Sequence, residues 1–257
     1  MIKELTFATL LATSTLCADT IGGEISIGVY SHSPSGTASY TLPYSSLGST
    51  VDLENDFGWS DEQDIIFKAY FEHPLPFIPN VKIAYANFNQ SGNGNVTKFS
   101  WGPISGHGDI ETDLELQMYD LTAYYELLDN AVEIDAGLTI RYLEGDIIVT
   151  PSVGFTPLGS VSVASTTDID MWIPMLYGKA RFNIPNTDIS LQLEANGISY
   201  KETSFYDYEI SARYAFSAGL GLEAGYKSIH LDSEDLNDGL VIDVDSSGLY
   251  ASIVWDF

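Results

Sequence analysis

The chain is poor in cysteine, in positive charge and in long apolar runs. Its one cysteine is Cys17, so no internal disulfide can staple it, and its stability must come from packing and strand pairing. Lys and Arg number 10 against 36 Asp and Glu, a net charge of −26. That balance argues against nucleic acid as a partner. Beyond the N-terminus no stretch approaches the ~20 apolar residues that a membrane-spanning helix needs. Apolar residues still make up 45% of the chain, so they must be dispersed. Such acidity could mean disorder, but 16 Tyr, 12 Phe and 4 Trp argue for a folded chain. No Cys/His cluster of metal-binding type and no phosphate-cradling glycine loop stands out, so neither a metal nor a cofactor is expected.

The N-terminus carries Lys3, a short apolar run from Leu5 to Leu16, and then Cys17-Ala18. This is the layout of a cleaved secretory signal peptide, expected to span residues 1–18 and to leave a mature chain of 19–257. A lipoprotein cut before Cys17 is the rival reading, disfavoured by the bulky Leu16 that precedes it.

What is present is alternation at period two, the mark of strands with one apolar face. The cleanest case sets Val132, Ile134, Ala136, Leu138 and Ile140 against Glu133, Asp135, Gly137, Thr139 and Arg141. Ten such segments follow one another, the first at Ile21 to Tyr30 and the last at Leu249 to Phe257. The three prolines of HPLPFIPN (73–80) forbid continued pairing and mark a turn. The expected fold is all-β: a transmembrane antiparallel up-and-down β-barrel of about ten strands. An even count puts both mature termini on one side, here the periplasm. Connections at 73–80, 128–131, 184–187 and 217–218 are short, whereas 31–62, 90–112, 143–169 and 231–240 read as long outer loops, with 200–204 the short exception. Two irregularities remain. Parity flips near Tyr119, which fits either a bulge or the membrane boundary. Leu240, Ile242 and Val244 also alternate out of phase with Leu249 to Phe257, so the last strand should enter the membrane near Ser247.

The final strand resembles the C-terminal assembly signal of outer-membrane barrels, read by the barrel assembly machinery. Trp255 and Phe257 fit that signal, while Ser252 stands where Gly is usual and Tyr250 where a polar residue is usual. Three further stretches, VDLENDFGWSDEQD (51–64), FEHPLPFIPNVKIAY (71–85) and YYELLDNAVEIDAGLTIRYLEG (124–145), accompany the pair Gly22-Gly23. With them the chain resembles an uncharacterised family of proteobacterial outer-membrane proteins across essentially its whole mature length. The resemblance implies a barrel in the outer membrane, among its lipid and lipopolysaccharide, and supplies location rather than mechanism.

The basic residues carry most of the chemical information. Lys68, Lys82, Arg141, Lys179, Arg181, Arg213 and Lys227 fall on inward positions, and Glu24, Glu72, Glu126, Glu133, Asp135, Glu194, Glu209 and Glu223 share that interior. Charges in a confined lumen are costly unless paired, so a ladder of ion pairs is expected. The ladder reads in two ways, as a packed plug or as the lining of a narrow conduit. The leading expectation is a narrow pore or passive uptake route for small solutes, and the alternative is a non-conducting structural or surface-binding barrel. A rim hydrolase is third: His230 with Asp232, or His107 with Asp109, could activate water. Omptin-type proteases use Asp and His at the rim of a ten-stranded barrel, but no motif of theirs is matched here. Acid clusters at Asp52, Glu54, Asp56, Asp61, Glu62 and Asp64, and at Asp232, Glu234, Asp235 and Asp238, could take divalent cations that bridge lipopolysaccharide phosphates. DSEDLND lacks the spacing of an EF-hand, and solvated loop charge is the blander account.

Overall fold

The computed structural model describes residues 21–41, 48–75, 77–155, 159–162, 164–234 and 239–257. The expected signal peptide with Cys17, and Asp235 and Asp238, lie outside the described residues. The strands are β1 (Gly22–Tyr40), β2 (Val51–Asp52), β3 (Glu62–Glu72), β4 (Asn80–Trp101), β5 (Ile104–Asp129), β6 (Val132–Phe155), β7 (Gly159–Ser162), β8 (Ser165–Asn183), β9 (Ile189–Tyr200), β10 (Thr203–Ala215), β11 (Leu220–Ser233) and β12 (Leu240–Asp256). All pairings are antiparallel, each long strand beside the next in sequence, with β2 and β7 as short additions. Ten strands therefore form the wall, as the alternation predicts.

Pairing of β12 with β1 closes the barrel, from Glu24 opposite Asp256 to Tyr40 opposite Leu240. The seam ends where Gly23 and Phe257 exchange backbone hydrogen bonds of 3.0 and 2.9 Å. A Cβ on Gly23 would lie 2.6 Å from the Phe257 ring and 2.9 Å from the Tyr70 carbonyl oxygen, so the close approach requires glycine there. In the lower half, closure leaves no open edge in a medium that offers no other hydrogen-bond partner.

Across the middle of each tall strand the in/out parity is kept, with register shifts only near the strand ends at Val96/Phe99 and Glu126/Leu128, but the chemistry inverts. On β5 the inward residues run Thr112, Leu114, Met118, Asp120, Thr122 and Tyr124, all buried. Their outward neighbours run Glu111, Asp113, Glu115 and Gln117, then Tyr119, Leu121, Ala123 and Tyr125. The flip near Tyr119 is thus the membrane boundary, and the register irregularity of this strand pair falls lower, between Glu126 and Leu128. Tyr85, Tyr119, Tyr142 and Trp172 form one outward row in register across β4, β5, β6 and β8, with neighbouring ring centroids 5.2, 6.3 and 4.5 Å apart. Such a row is the interfacial girdle of a transmembrane barrel. Below it Leu121, Leu138 and Leu176 are 54%, 63% and 70% exposed, which is favourable only against lipid.

The stretches read as long outer loops are mostly strand. β1 continues to Tyr40, β4 to Trp101 and β6 to Phe155, while β5 starts at Ile104 and β8 at Ser165. A wall standing in water with an apolar interior alternates in the opposite sense to one standing in lipid, and Gly- and Ser-rich strands look like loops. β3 is the exception and stops short, so β1 and β4 rise past it. The segment 48–61 fills the gap: Val51 pairs with Ala38, and Trp59 bridges to Gly92. A Cβ on Gly94 would sit 1.7 Å from the Asp56 carbonyl oxygen, so this segment lies directly on the β4 backbone. Its Leu53, Phe57 and Trp59 are buried in the upper lumen with Trp101, Leu143 and Phe205.

Candidate functional site: the lumen

The inward residues of the lower half form the ion ladder. Lys68 pairs with Glu209, which also takes Lys227 at 2.6 Å. Lys82 pairs with Glu194, which accepts the Tyr70 hydroxyl at 2.6 Å. Arg141 meets Asp120 through two hydrogen bonds of 2.7 Å and Asp207 at 2.7 Å. Lys179 reaches Asp135 at 2.8 Å. Glu24 holds two guanidinium groups, Arg181 at 2.8 Å and Arg213 at 2.7 Å, and Glu133 lies 3.7 Å from Arg181. Glu72 and Glu223 accept tyrosine hydroxyls instead, from Tyr124 at 3.0 Å and Tyr250 at 2.6 Å, and Glu126 accepts from Asn80 at 3.0 Å.

Several pairs cross the lumen rather than run along its wall. β8 and β1 lie five strands apart in either direction around the barrel, so Arg181 to Glu24 is a diametric strut. Lys82 on β4 and Glu194 on β9, and Lys68 on β3 and Glu209 on β10, are each four strands apart by the shorter path. Tyr70, Tyr124 and Tyr177 fill the space between, and the ammonium of Lys179 lies 4.9 Å from the Tyr70 ring centre and that of Lys82 5.0 Å from Tyr177. A lower cavity of ≈ 270 Å³ beside Glu72, Glu133 and Arg181 gives way to only ≈ 30 Å³ among Lys68, Arg141 and Glu209. A water needs ~10–15 Å³ of such space, so the waist admits a couple of waters and nothing larger. Above it lies an apolar chamber of ≈ 80 Å³ lined by Trp59, Phe88, Leu114, Leu143, Ile169 and Phe205.

Sequence reading missed three parts of this arrangement. Asp120 and Asp207 were open to it as inward acids, yet it did not single them out as the partners of Arg141. Asp256, at the end of the last strand and absent from the expected ladder, meets Arg213 at 2.5 Å. His32 stood in an expected outer loop but is 1% exposed in the lumen. Its Nε2 lies 2.9 Å from Asp64, its Nδ1 lies 3.2 Å from the Ser246 hydroxyl, and its ring stacks between Tyr30 and Phe88. It marks the junction between ladder and chamber, and no local pattern could place it there.

The candidate rim residues do not converge on the lumen mouth. His230 faces outward and pairs with Asp245 at 2.8 Å rather than with Asp232. His107 is exposed, and Asp109 accepts from Asn95 at 2.6 Å. Four of the acids of segment 51–64 serve local structure. Asp52 accepts from the backbone of Glu54 and Asn55, Asp56 from that of Asp52, Asp61 from Ser33, and Asp64 holds His32.

No family model and no curated protein matches the chain. Among solved structures it is similar to the outer membrane protease OmpT of Escherichia coli, with 11% identity and a TM-score of 0.61, covering 95% of this chain and 100% of that one. It also aligns with the translocator domain of the autotransporter NalP of Neisseria meningitidis, with 12% identity, 98% and 95% coverage and a TM-score of 0.42, too low to carry an argument. At these identities the likeness speaks to fold alone. The chain has the fold of the outer-membrane β-barrel proteins of Gram-negative bacteria.

Proposed function

We propose that the protein is a sealed, non-conducting barrel of the outer membrane, with both termini periplasmic and a tall extracellular half that serves as a surface-binding scaffold. The observation that carries this reading is the set of ion pairs bridging opposite walls, above all Arg181 to Glu24 and Lys82 to Glu194. A conduit lined by charge would hold its ion pairs along the wall and leave the axis to water. Here the axis is occupied by the side chains themselves, which favours the structural reading of the ladder over the pore. Placement in the outer membrane is supported by the girdle, the lipid-facing belt and the short turns at the end that holds both termini. The same reading has Trp255 and Phe257 recognised by the barrel assembly machinery, and it groups the chain with the proteobacterial family that carries the Gly22-Gly23 pair. Lipopolysaccharide and divalent cations are the expected neighbours of its acidic outer wall.

Planar-bilayer recording of the purified protein tests the sealed lumen. The wild type should give no discrete current steps, whereas Lys82→Ala combined with Arg181→Ala should admit ions. Reproducible steps from the wild-type protein would return the pore to first place.

A further inference from the structure

From the outer wall of the upper half, the geometry points to a binding site for a divalent transition metal of the zinc type, formed by His230, Asp243 and Asp245. The site is separate from the lumen, and it stands or falls independently of whether the barrel conducts. Its residues lie on β11 and β12, where His230 is directly opposite Asp245 and Asp232 is directly opposite Asp243. One donor atom from each of His230, Asp243 and Asp245 lies within 4.8 Å of the other two. Zinc holds nitrogen and oxygen donors at ~2.1 Å, so any two of its ligands lie at most ~4.2 Å apart. Small side-chain rotations therefore bring all three into one coordination shell.

Three features set this cluster apart from a solvated acidic patch. It contains an imidazole, a donor that suits zinc and its neighbours rather than the oxygen-seeking Ca²⁺ and Mg²⁺. The imidazole is also held in place, because Tyr206 stacks on it with ring centres 4.7 Å apart. Finally, Asp232 and Asp243 oppose one another as like charges across a strand pair, an arrangement that is destabilising unless a cation intervenes. Among the described residues no Lys or Arg forms an ion pair with either. A bound dication would neutralise the row, with Asp232 as a flanking carboxylate. The site stands two outward rows above Tyr226 and Leu249, the last outward row that is apolar on both strands, so its open coordination positions face headgroups and water.

Calorimetric titration of untagged protein in detergent micelles with Zn²⁺ and with Ca²⁺ tests the site, with Co²⁺ absorption as a geometric readout. The expected result is one Zn²⁺ per chain, bound at least tenfold more tightly than Ca²⁺. His230→Ala should weaken Zn²⁺ at least tenfold and abolish the intense visible bands of the Co²⁺ form. Asp243→Asn should weaken it comparably, while His107→Ala, at an exposed histidine elsewhere, leaves it unchanged. Heat-modifiable mobility on gels confirms that each variant remains a folded barrel. Equal affinity for Zn²⁺ and Ca²⁺, or an unchanged affinity in folded His230→Ala, would overturn the assignment.

Discussion

The lower and upper halves of this barrel are built from the same strands, with parity kept across the girdle, yet they are opposite in chemistry. Below the girdle, Leu121, Leu138 and Leu176 face out and Lys82, Arg141 and Glu194 face in. Above it, Glu115, Glu144 and Asp146 face out and Leu114, Leu143 and Ile147 face in. The solvent outside decides which side is which. In lipid the outward face must be apolar, so polar residues are confined to the lumen and must satisfy one another. In water the preference reverses, and the upper half is an ordinary hydrophobic core wrapped by a sheet. The two halves are thus held together by different forces, and substitutions should separate them.

The largest effect is expected in the lower half. Lys82→Met leaves Glu194, 2% exposed, without its closest cation, and breaking one partner of a buried pair costs about 3–5 kcal/mol. Denaturant unfolding from vesicles should show this loss, and Lys82→Met with Glu194→Met should recover more than half of it. In the upper half the matching experiment is Leu143→Ala at a 1% exposed position, with an expected loss of about 2–5 kcal/mol from transfer and cavity terms. That loss should depend little on salt, because it arises from apolar packing.

The outer face sharpens the contrast. Leu138→Arg places a cation against lipid and should cost about 2–4 kcal/mol near the midplane. Thr166→Arg, also outward but above the girdle, should stay within ~0.5 kcal/mol. The smallest effect concerns Glu115, Asp146 and Asp168, which oppose one another in register across β5, β6 and β8. Asp146→Asn relieves part of that repulsion and should stabilise by about 0.2–1 kcal/mol at low ionic strength, with the gain fading as salt rises.

The lower half was legible in the sequence because lipid imposes a simple rule on it. Apolar-out alternation placed Lys68, Lys82, Arg141, Lys179, Arg181, Arg213 and Lys227 inside, and all seven are there. The partners were not legible, because a pair such as Glu24 with Arg181 joins residues far apart in sequence and on opposite walls. Most of the upper half was misread as loop. Its alternation is inverted at Tyr119 and Ser247, and stretches such as Gly92 to Asn95 or Ser31 to Ser39 carry few of the branched and aromatic residues that advertise a strand. The in-folded segment 48–61 was hidden for a third reason. It completes the wall only because β3 stops early, a fact about neighbouring strand lengths rather than about its own residues.

The inversion requires the solvent boundary to cross the strands at the girdle. With Cys17 in the expected signal peptide, single cysteines can be introduced and spin-labelled, and their collision rates with oxygen and with a water-soluble nickel chelate compared. Labels at Leu138 and Leu176 should be open to oxygen and shielded from nickel, and labels at Asp146 and Asp168 the reverse, with the crossover at Tyr142 and Trp172. Oxygen-dominated collisions at Asp146 and Asp168, as at Leu138, would place the upper wall in lipid and contradict the inversion on which this reading of the barrel depends.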